Sequence, residues 1–456
     1  MNRKSIGKSS NSQSLKRIKY LMENINSLQR MANSEGMDNC FKIIKKKCPN
    51  LKVHKFKPGA KAGDWTVPKN WKLQDSFLKD DKGKIIASSK ENHLFVSPNS
   101  KSVDKKINGE KLIEKTMFLE KITDSFLLNH KHTYNYHLRQ KDWGISLPYN
   151  RVKKISKNKK YHISIKTDLS NEPMKVGELF IKGKVNKIIC ISAHIDELCN
   201  DDLSGSVAAI ELYERLKKKQ NYFSYQILLF PELYGPLFYI KRFPAKIKNT
   251  LFMLNLECVG AGKQWCLKKS LKSNNFLEDC LRKSFKENKK KFKELKFFDG
   301  FINDEKVYAW PEIDIPGIAI QRNPYKYYHT SQDTLDKIDY NLMLDSIKIS
   351  EDMMRIFEKN FQIINKNYIP KLKTYLPPWL TKRKLYISGK NSIFPQDEGN
   401  NTYNEKLLFS IDGKTSLYKI ATKLNLKFLN CFNYLQTFIK KNLVKKIKID
   451  GKHLLY

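Results

Sequence analysis

The stretch IICISAHIDELCNDDLSG, residues 188–205, decides the fold. It opens with the apolar run 188–191, which is typical of a strand buried in a parallel or mixed sheet. A loop rich in histidine and aspartate follows, and after Ser204 and Gly205 the apolar residues of 207–216 recur at helical spacing. The order strand, polar loop, helix predicts an α/β domain, and open α/β sheets place their sites at the carboxyl ends of their strands.

His194 is the first candidate site residue in this loop. A single histidine in a turn is more often structural than functional, so a solvated turn is the alternative interpretation. Asp196, Asp201 and Asp202 lie in the same loop, between a predicted buried strand and a predicted helix. Several carboxylates beside one imidazole favour a functional site, because both kinds of group are metal ligands.

Composition limits the class of protein. The chain has 456 residues, of which 40% are hydrophobic, so it is long enough for two or three domains with buried cores. The formal net charge of +40 comes mainly from lysines spread along the chain, not gathered in one basic stripe with interleaved aromatic residues. Nucleic-acid binding is therefore the less favoured interpretation of this charge.

Cysteine usage and hydropathy indicate a cytoplasmic protein. The eight cysteines form no CxxC pair and no regular framework, which favours reduced thiols over disulfides. The basic N-terminus lacks the apolar segment of a signal peptide, and no run approaches the ~20 apolar residues of a membrane span. We expect a soluble cytoplasmic protein that does not enter a membrane.

Changes in sequence pattern along the chain predict its domains. Residues 18–48 show helical spacing, and from Trp65 short strand-like segments alternate with turns. From residue 161 strands alternate with helices, and the last segment has the order strand, helix, helix, hairpin, which is typical of a winged helix. The predicted parts are a disordered basic arm (1–17), an α/β domain (18–64 and 148–370), an inserted β-rich lobe (65–147), a linker (371–405) and a winged-helix domain (406–456).

Further candidate residues follow the other predicted strands. Glu232 and Glu257 each end or follow a buried strand, and His329 lies in a loop before a predicted helix. Because the carboxyl ends of parallel strands meet at one edge of a sheet, these side chains are expected near His194. Imidazoles and carboxylates are the usual ligands of hydrolytic zinc, and a carboxylate outside the ligand set can accept a proton from water.

The order of these motifs carries a resemblance. The chain resembles the zinc-dependent exopeptidases of the bimetallic aminopeptidase type, whose pattern is His-x-Asp, Asp-Asp/Asn-x-Ser-Gly, a Glu pair, an acidic residue and a distal His. It resembles even more an aminopeptidase-like family of unknown function that is associated with polysaccharide biosynthesis. The motifs shared with that family are W-x-V-P-x-x-W (65–71), Trp-Gly (143–144), Asp-Glu-basic-x-Tyr (304–308) and Tyr-His-Thr-Ser (328–331).

The resemblance spans about residues 20–456 and implies a fold and a function. The implied fold is the zinc-exopeptidase (phosphorylase/hydrolase-like) mixed sheet with helices on both faces, with the small β-rich lobe inserted and a winged helix at the end. The implied activity is hydrolysis of an amide or peptide bond by a zinc-activated water. The substrate would be a peptide N-terminus or an amide on a sugar or small metabolite.

Each motif implies a role for a residue of this chain. Glu232 corresponds to the general base, and Asp196 to the carboxylate that orients a ligand histidine. A cis peptide bond is implied between Asp201 and Asp202. The implied metal ligands are His194, Asp201, Glu257 and His329, with Asp201 bridging two metals.

Leu233 departs from the pattern of the bimetallic enzymes. Those enzymes carry a metal-binding glutamate directly after the general base, where this chain has Leu233. A second metal would keep only Asp201 and His329, unless Glu232 is recruited as a ligand. The resemblance therefore implies one zinc ion and leaves the second open.

Four further residues are candidates for substrate binding. The charged ones among them would hold the amino or carboxylate end of a substrate, and ion pairing within the protein is the alternative. The tyrosine would line the pocket or pack a loop. The four residues are Asp304, Glu305, Arg322 and Tyr328.

The predicted winged helix leaves two kinds of function open. Its second helix, within 427–442, begins with few polar groups that could contact base edges, which favours docking to a protein partner or a second copy of the chain. In the rival interpretation the chain is a regulator or adaptor, or a metal-binding pseudo-enzyme, whose α/β domain senses a ligand.

Overall fold

The structure is a computed structural model of the chain. It describes residues 3–128, 140–273, 275–301, 303–365, 407, 410–440 and 444–448. The chain forms two compact units, the first made of residues 1–273 and 291–348, the second of residues 274–290 and 349–456. The domain boundaries inferred from the sequence remain predictions, and the predicted linker 371–405 lies outside the described residues.

The first unit contains both strands and helices, numbered in chain order. Its strands are β1 (Lys52–Phe56), β2 (Lys61–Ala62), β3 (Trp65–Thr66), β4 (Asn70–Leu73), β5 (Phe77–Lys79), β6 (Ile85–Ser88), β7 (Val103–Asn108), β8 (Thr116–Met117), β9 (Ile145–Ser146), β10 (Lys160–Ile165), β11 (Thr167–Ser170), β12 (Met174–Ile181), β13 (Ile188–His194), β14 (Ser224–Phe230), β15 (Thr250–Glu257), β16 (Gln264–Lys268), β17 (Phe292–Leu295) and β18 (Gly317–Asn323). Its helices are α1 (Arg3–Ile25), α2 (Glu35–Lys47), α3 (Gly109–Glu114), α4 (Tyr149–Val152), α5 (Leu203–Leu216), α6 (Tyr234–Arg242), α7 (Pro244–Asn249) and, after α8 of the second unit (Phe276–Glu287), α9 (Glu305–Tyr308).

An eight-stranded mixed sheet is the centre of the first unit. Its strand order is β1-β12-β14-β13-β15-β18-β16-β17. The middle strands β14, β13, β15 and β18 run parallel, whereas β1, β12 and β16 are antiparallel to their neighbours toward the middle. The four parallel strands therefore end at the same edge of the sheet.

Strand β13 is buried along its whole length, which means that both faces of the sheet are covered. On one face Cys190 and Leu228 pack with Tyr234 and Phe238 of α6. The helix α5 begins at Leu203, earlier than the apolar periodicity indicates. The predicted α/β class, with a mixed sheet between helices, is confirmed.

The N-terminal helix α1 begins at Arg3, within the stretch predicted to be a disordered arm. The hydroxyl of Ser14 donates a hydrogen bond to Glu211 of α5 (2.6 Å), and the guanidinium of Arg17 pairs with the same carboxylate (2.6 Å). A composition rich in lysine and serine favours disorder, whereas these long-range contacts tie Ser14 and Arg17, at the end of that stretch, to the sheet domain.

Strands β5, β6 and β7 of the predicted β-rich lobe form a second sheet with β10, in the order β6-β5-β10-β7 and all antiparallel. Strand β10 lies in the stretch that the sequence assigned to the α/β domain. Trp71 of the W-x-V-P-x-x-W motif is fully buried in its core and donates its indole N–H to the carbonyl of Ser100 (2.9 Å). The short helix α3 ends at Glu114, and Thr116 starts a short strand that pairs with Ile145.

The second unit holds α8, the C-terminal part of α10 (Tyr340–Lys359), β19 (Phe361–Asn365), α11 (Leu417–Lys423), α12 (Phe428–Lys440) and β20 (Val444–Lys448). The two predicted C-terminal helices are present as α11 and α12. Strand β20 pairs with β19 in antiparallel fashion. Residues 408–409 and 449–456, where the sequence predicts most of a strand and the end of a hairpin, lie outside the described residues, so the winged helix stays a prediction. No helix in the described part of the chain is long and apolar enough to cross a membrane.

Candidate metal centre

The carboxyl ends of neighbouring strands bring the candidate residues together. His194 is the last residue of β13, and Glu257 is the last residue of β15 beside it. Glu232 follows the end of β14, and His329 lies in the loop after β18. The structure thus places these four predicted site residues at one edge of the sheet.

One cluster joins His194, Asp201 and Glu257. The Nε2 atom of His194 lies 3.5 Å from Asp201 Oδ1 and 3.5 Å from Glu257 Oε2. All three side chains are about 1% exposed. Two ligand atoms that each bind a tetrahedral zinc ion at ~2.1 Å lie about 3.4 Å apart, so the spacing and the donor types fit zinc.

A second cluster joins His329, Asp201 and Glu197. The Nε2 atom of His329 lies 2.8 Å from Asp201 Oδ2 and 3.5 Å from Glu197 Oε2. Asp201 therefore directs one carboxylate oxygen toward each histidine. This is the geometry of a carboxylate that bridges two cations.

Asp196 connects the first cluster to Glu232. Its Oδ1 lies 3.1 Å from His194 Nδ1 and accepts a hydrogen bond from the backbone N–H of Glu232 (3.0 Å). A proton on Nδ1 leaves Nε2 as the lone-pair donor, which is the tautomer that a metal requires. The position agrees with the orienting role that the resemblance implies.

Glu232 itself is 8% exposed and lies beside the clusters without joining either of them. Burial, together with the neighbouring carboxylate of Glu197, raises the pKa of Glu232 well above the usual range of a glutamate. A nearby cation would stabilise the ionised form, so the site holds an acidic group that suits proton transfer.

The loop that carries Asp201 is fixed by buried hydrogen bonds. The backbone N–H groups of Asn200 and Asp201 donate to Asp333 (2.9 and 3.2 Å). Asp202 caps α5 by accepting from the N–H of Gly205 (3.0 Å), and the peptide bond between Asp201 and Asp202 is cis, as the resemblance implies. At Gly205 a Cβ atom would lie 2.2 Å from the carbonyl oxygen of Leu256, so this position requires glycine.

The loop that carries His329 is held by stacking and by the small lobe. The ring of Tyr328 stacks on His329 (3.7 Å between centroids), and Phe301 stacks on Tyr328 (4.4 Å). The backbone N–H of Leu128, in the small lobe, donates to the carbonyl of His329 (2.9 Å). The N–H of Ser331 donates to the carbonyl of Phe126, also in the small lobe (2.9 Å). The lobe therefore helps to position the second cluster.

Three of the four predicted substrate-binding residues have partners inside the protein. Asp304 is fully buried and accepts the N–H of Leu233 (2.8 Å), and Glu305 is buried in an ion pair with Lys268. Arg322 donates to the carbonyl of Gly262 (2.6 Å) and covers the ring of Trp265. Tyr328 is the one that lies against a cluster residue, and a role in substrate binding stays a prediction for all four.

Glu197 is the site residue that sequence reasoning missed. It follows Asp196 directly in the sequence. The resemblance implies a metal-binding glutamate at a different position, directly after Glu232, where this chain has Leu233. Leu233 is buried with a positive φ of 58°. The sequence signal available for Glu197 was its place in the loop between His194 and Asp201.

A family model described as a domain of unknown function (DUF4910) matches residues 19–360. The chain belongs to the DUF4910 family. A Clostridium acetobutylicum protein with the provisional name of a polysaccharide biosynthesis protein with an aminopeptidase-like domain is 28% identical over 416 residues, which cover 90% of this chain and 92% of the relative. The resemblance seen in the sequence is thereby confirmed.

Solved structures share the fold of this DUF4910 protein. The crystal structure of a Clostridium acetobutylicum protein, provisionally named a peptidase, has a TM-score of 0.82 at 24% identity and covers 98% of this chain and 100% of its own. The zinc aminopeptidase BSAP from Bacillus subtilis has a TM-score of 0.55 at 14% identity and covers 74% of this chain and 93% of its own. The mixed sheet is therefore that of the zinc aminopeptidases.

Proposed function

We propose that the protein is a metal-dependent, aminopeptidase-like hydrolase that cleaves an amide or peptide bond. The observation that carries the proposal is the buried cluster of His194, Asp201 and Glu257, whose ligand atoms converge beside Glu232. The aminopeptidase-like name of a relative and the zinc aminopeptidases among the fold neighbours support it.

The first cluster would hold the ion that the reaction needs. A zinc ion there would polarise the substrate carbonyl and lower the pKa of a nearby water. His194 presents Nε2 because Asp196 engages Nδ1, and Asp201 and Glu257 supply anionic oxygens. The burial of all three side chains keeps bulk water away and strengthens their electrostatic effect.

Glu232 would act as the general base. Its carboxylate accepts a proton from the attacking water and returns it to the leaving amine. Burial and the Glu197 carboxylate raise the pKa of Glu232, whereas a bound cation would lower it, so the carboxylate is placed where it can both accept and release a proton. Asp196 fixes the start of this segment by accepting the backbone N–H of Glu232.

The substrate class we propose is a peptide N-terminus or an amide on a sugar or small metabolite. Of the four candidate contacts, Tyr328 fits best, because it is half-buried beside His329. The other three are occupied by contacts within the protein.

Metal content and activity test the proposal together. We expect at least one zinc ion per purified wild-type chain by elemental analysis, and loss of the ion at the first cluster in His194→Ala. Hydrolysis of aminoacyl amides should fall about 10²–10⁴-fold in Glu232→Gln while the metal content stays unchanged, because this residue removes a proton and holds no ion.

The matched control is Glu172→Gln, which changes an exposed glutamate and should keep wild-type activity. Less than about one metal ion per chain in the wild type would remove the basis for hydrolysis. Activity that survives both chelation and Glu232→Gln would contradict the mechanism.

A further inference from the structure

The second cluster gives Asp201 and His329 a third partner that the family pattern does not supply. We propose that Glu197 is the carboxylate ligand of a second metal ion, in the place of the glutamate that Leu233 replaces. The ligands of this ion would be Glu197, Asp201 and His329. The inference rests on the proposed function, because it concerns the same bridged centre.

The donor atoms have the spacing and chemistry of a metal site. His329 Nε2 lies 3.5 Å from Glu197 Oε2 and 2.8 Å from Asp201 Oδ2, and the three ligand atoms lie within 4.8 Å of one another. Glu197 is 4% exposed and Asp201 is 1% exposed. Two buried carboxylates this close repel each other, and a divalent cation between them and the imidazole offsets that repulsion.

The second donor set does not depend on Glu232. Among the described residues, the groups that fit a metal ion are the two clusters, and Glu232 belongs to neither. The backbone N–H of Leu233 is engaged by Asp304, and its side chain adds no ligand atom. The recruitment of Glu232, which the sequence left open, is therefore disfavoured by the geometry.

Arg30 holds the backbone that presents Glu197. Its guanidinium donates to the carbonyls of Ile195 (2.9 Å), Glu197 (3.3 Å) and Leu198 (2.5 Å). The N–H of Glu197 in turn donates to the carbonyl of Arg30 (2.8 Å). Glu197 has a φ of 72°, a left-handed conformation that few residues other than glycine adopt.

The test is a count of metal ions in matched variants. Metal-free protein is loaded with zinc, passed through a desalting column and measured by elemental analysis, and the affinity of each site is measured by competition with a chelating indicator. We expect two ions in the wild type, one in Glu197→Gln and two in Glu232→Gln. In Glu197→Gln the zinc affinity of the second site should fall by more than about 100-fold. Removal of a residue that only contacts a metal ligand typically lowers metal affinity by roughly 10–100-fold.

The first site serves as the internal folding control, because Glu197→Gln should retain that ion with wild-type affinity. The shorter variant Glu197→Asp keeps the charge and should bind the second ion with reduced affinity.

Two ions in Glu197→Gln, or one ion in both the wild type and Glu197→Gln, would overturn the inference and leave the proposed hydrolase intact. Loss of the second ion in Glu232→Gln but not in Glu197→Gln would assign the ligand to Glu232 instead. Loss of both ions in Glu197→Gln would contradict the proposal that Glu197 binds the second ion alone. A wild type without any ion would defeat the proposed function itself.

Discussion

Asp196 shows how one side chain can serve two site residues. A single oxygen, Oδ1, faces the imidazole of His194 and the backbone N–H of Glu232. Strands β13 and β14 both end at this point, so the carboxylate connects the proposed metal ligand at the end of one strand to the proposed base that follows the next. Asp196 therefore helps to fix the position of His194 relative to Glu232.

Replacement of Asp196 by alanine should weaken zinc binding at the first cluster by about 10–100-fold, as for other outer-shell partners of ligand histidines. The cause is loss of the acceptor that fixes the tautomer of His194. Asp196→Asn keeps an acceptor oxygen, so its zinc affinity should fall less than that of Asp196→Ala. Competition with a chelating indicator measures the affinity, and a wild-type affinity in Asp196→Ala would show that His194 needs no such partner.

Residue patterns in the sequence predicted all three residues of the first cluster and two of the three residues of the second, missing Glu197. His194, Asp201 and Glu257 were expected together because strand ends meet at one sheet edge. Glu197 could not be placed, because its position depends on a left-handed backbone and on contacts with Arg30, which lies 165 to 168 residues away from its acceptors along the chain. Spacing alone carries no information on either.

At the scale of elements, Glu178 links four parts of the first unit. This carboxylate of β12 lies 2.7 Å from His54 Nε2 of β1, accepts from Gln226 of β14 (2.7 Å) and pairs with Lys246 of α7 (2.5 Å). Burial alone would raise the pKa of Glu178, but the hydrogen bonds from these partners outweigh burial and lower the pKa to about 2.

The lowered pKa predicts an acid-sensitive contribution to stability. Between the ordinary pKa of 4.5 and about 2 the unfolded chain binds more protons at Glu178 than the folded chain does. The stabilisation is therefore complete above pH 4.5 and is lost as the pH falls through about 2. At one pKa unit per 1.4 kcal/mol it amounts to roughly 3 kcal/mol.

Urea unfolding of Glu178→Gln measures this contribution. We expect the variant to be about 3 kcal/mol less stable than the wild type at pH 7, and the difference to narrow as the pH is lowered below 4.5. Glu172→Gln, at an exposed position, is the control and should show no such difference. A constant difference from pH 7 to pH 3 would mean that packing, not charge, accounts for the effect.

Long-range pairing explains what the sequence could not predict about the elements. The strands β13, β14 and β15 were expected because their apolar runs are local signals. Phe126 and Leu128 form backbone hydrogen bonds with the His329 loop, about 200 residues away along the chain. The sequence pattern of neither segment predicts this contact. The small lobe thus takes part in the centre through backbone contacts that side-chain periodicity does not encode.

For the whole molecule, the division into two units confines the proposed metal centre to one of them. All residues of both clusters lie within 1–273 or 291–348. A ligand stabilises only the cooperative unit that binds it, by RT ln(1 + [L]/Kd). Metal binding should therefore act on the unfolding of the first unit and leave the intrinsic stability of the second unchanged.

Calorimetry of the full chain with and without zinc tests this prediction. At a free zinc concentration of 1,000 times Kd, the first unit should gain about 4 kcal/mol, less any affinity of unfolded histidines and cysteines for zinc. Its transition should move to higher temperature and return when a chelator is added. His194→Ala, which lacks a ligand of the first cluster, should show a smaller shift than the wild type. An equal shift in the variant would mean that zinc stabilises the protein from elsewhere, because the loss of one of three ligands cannot leave the binding free energy of that site unchanged.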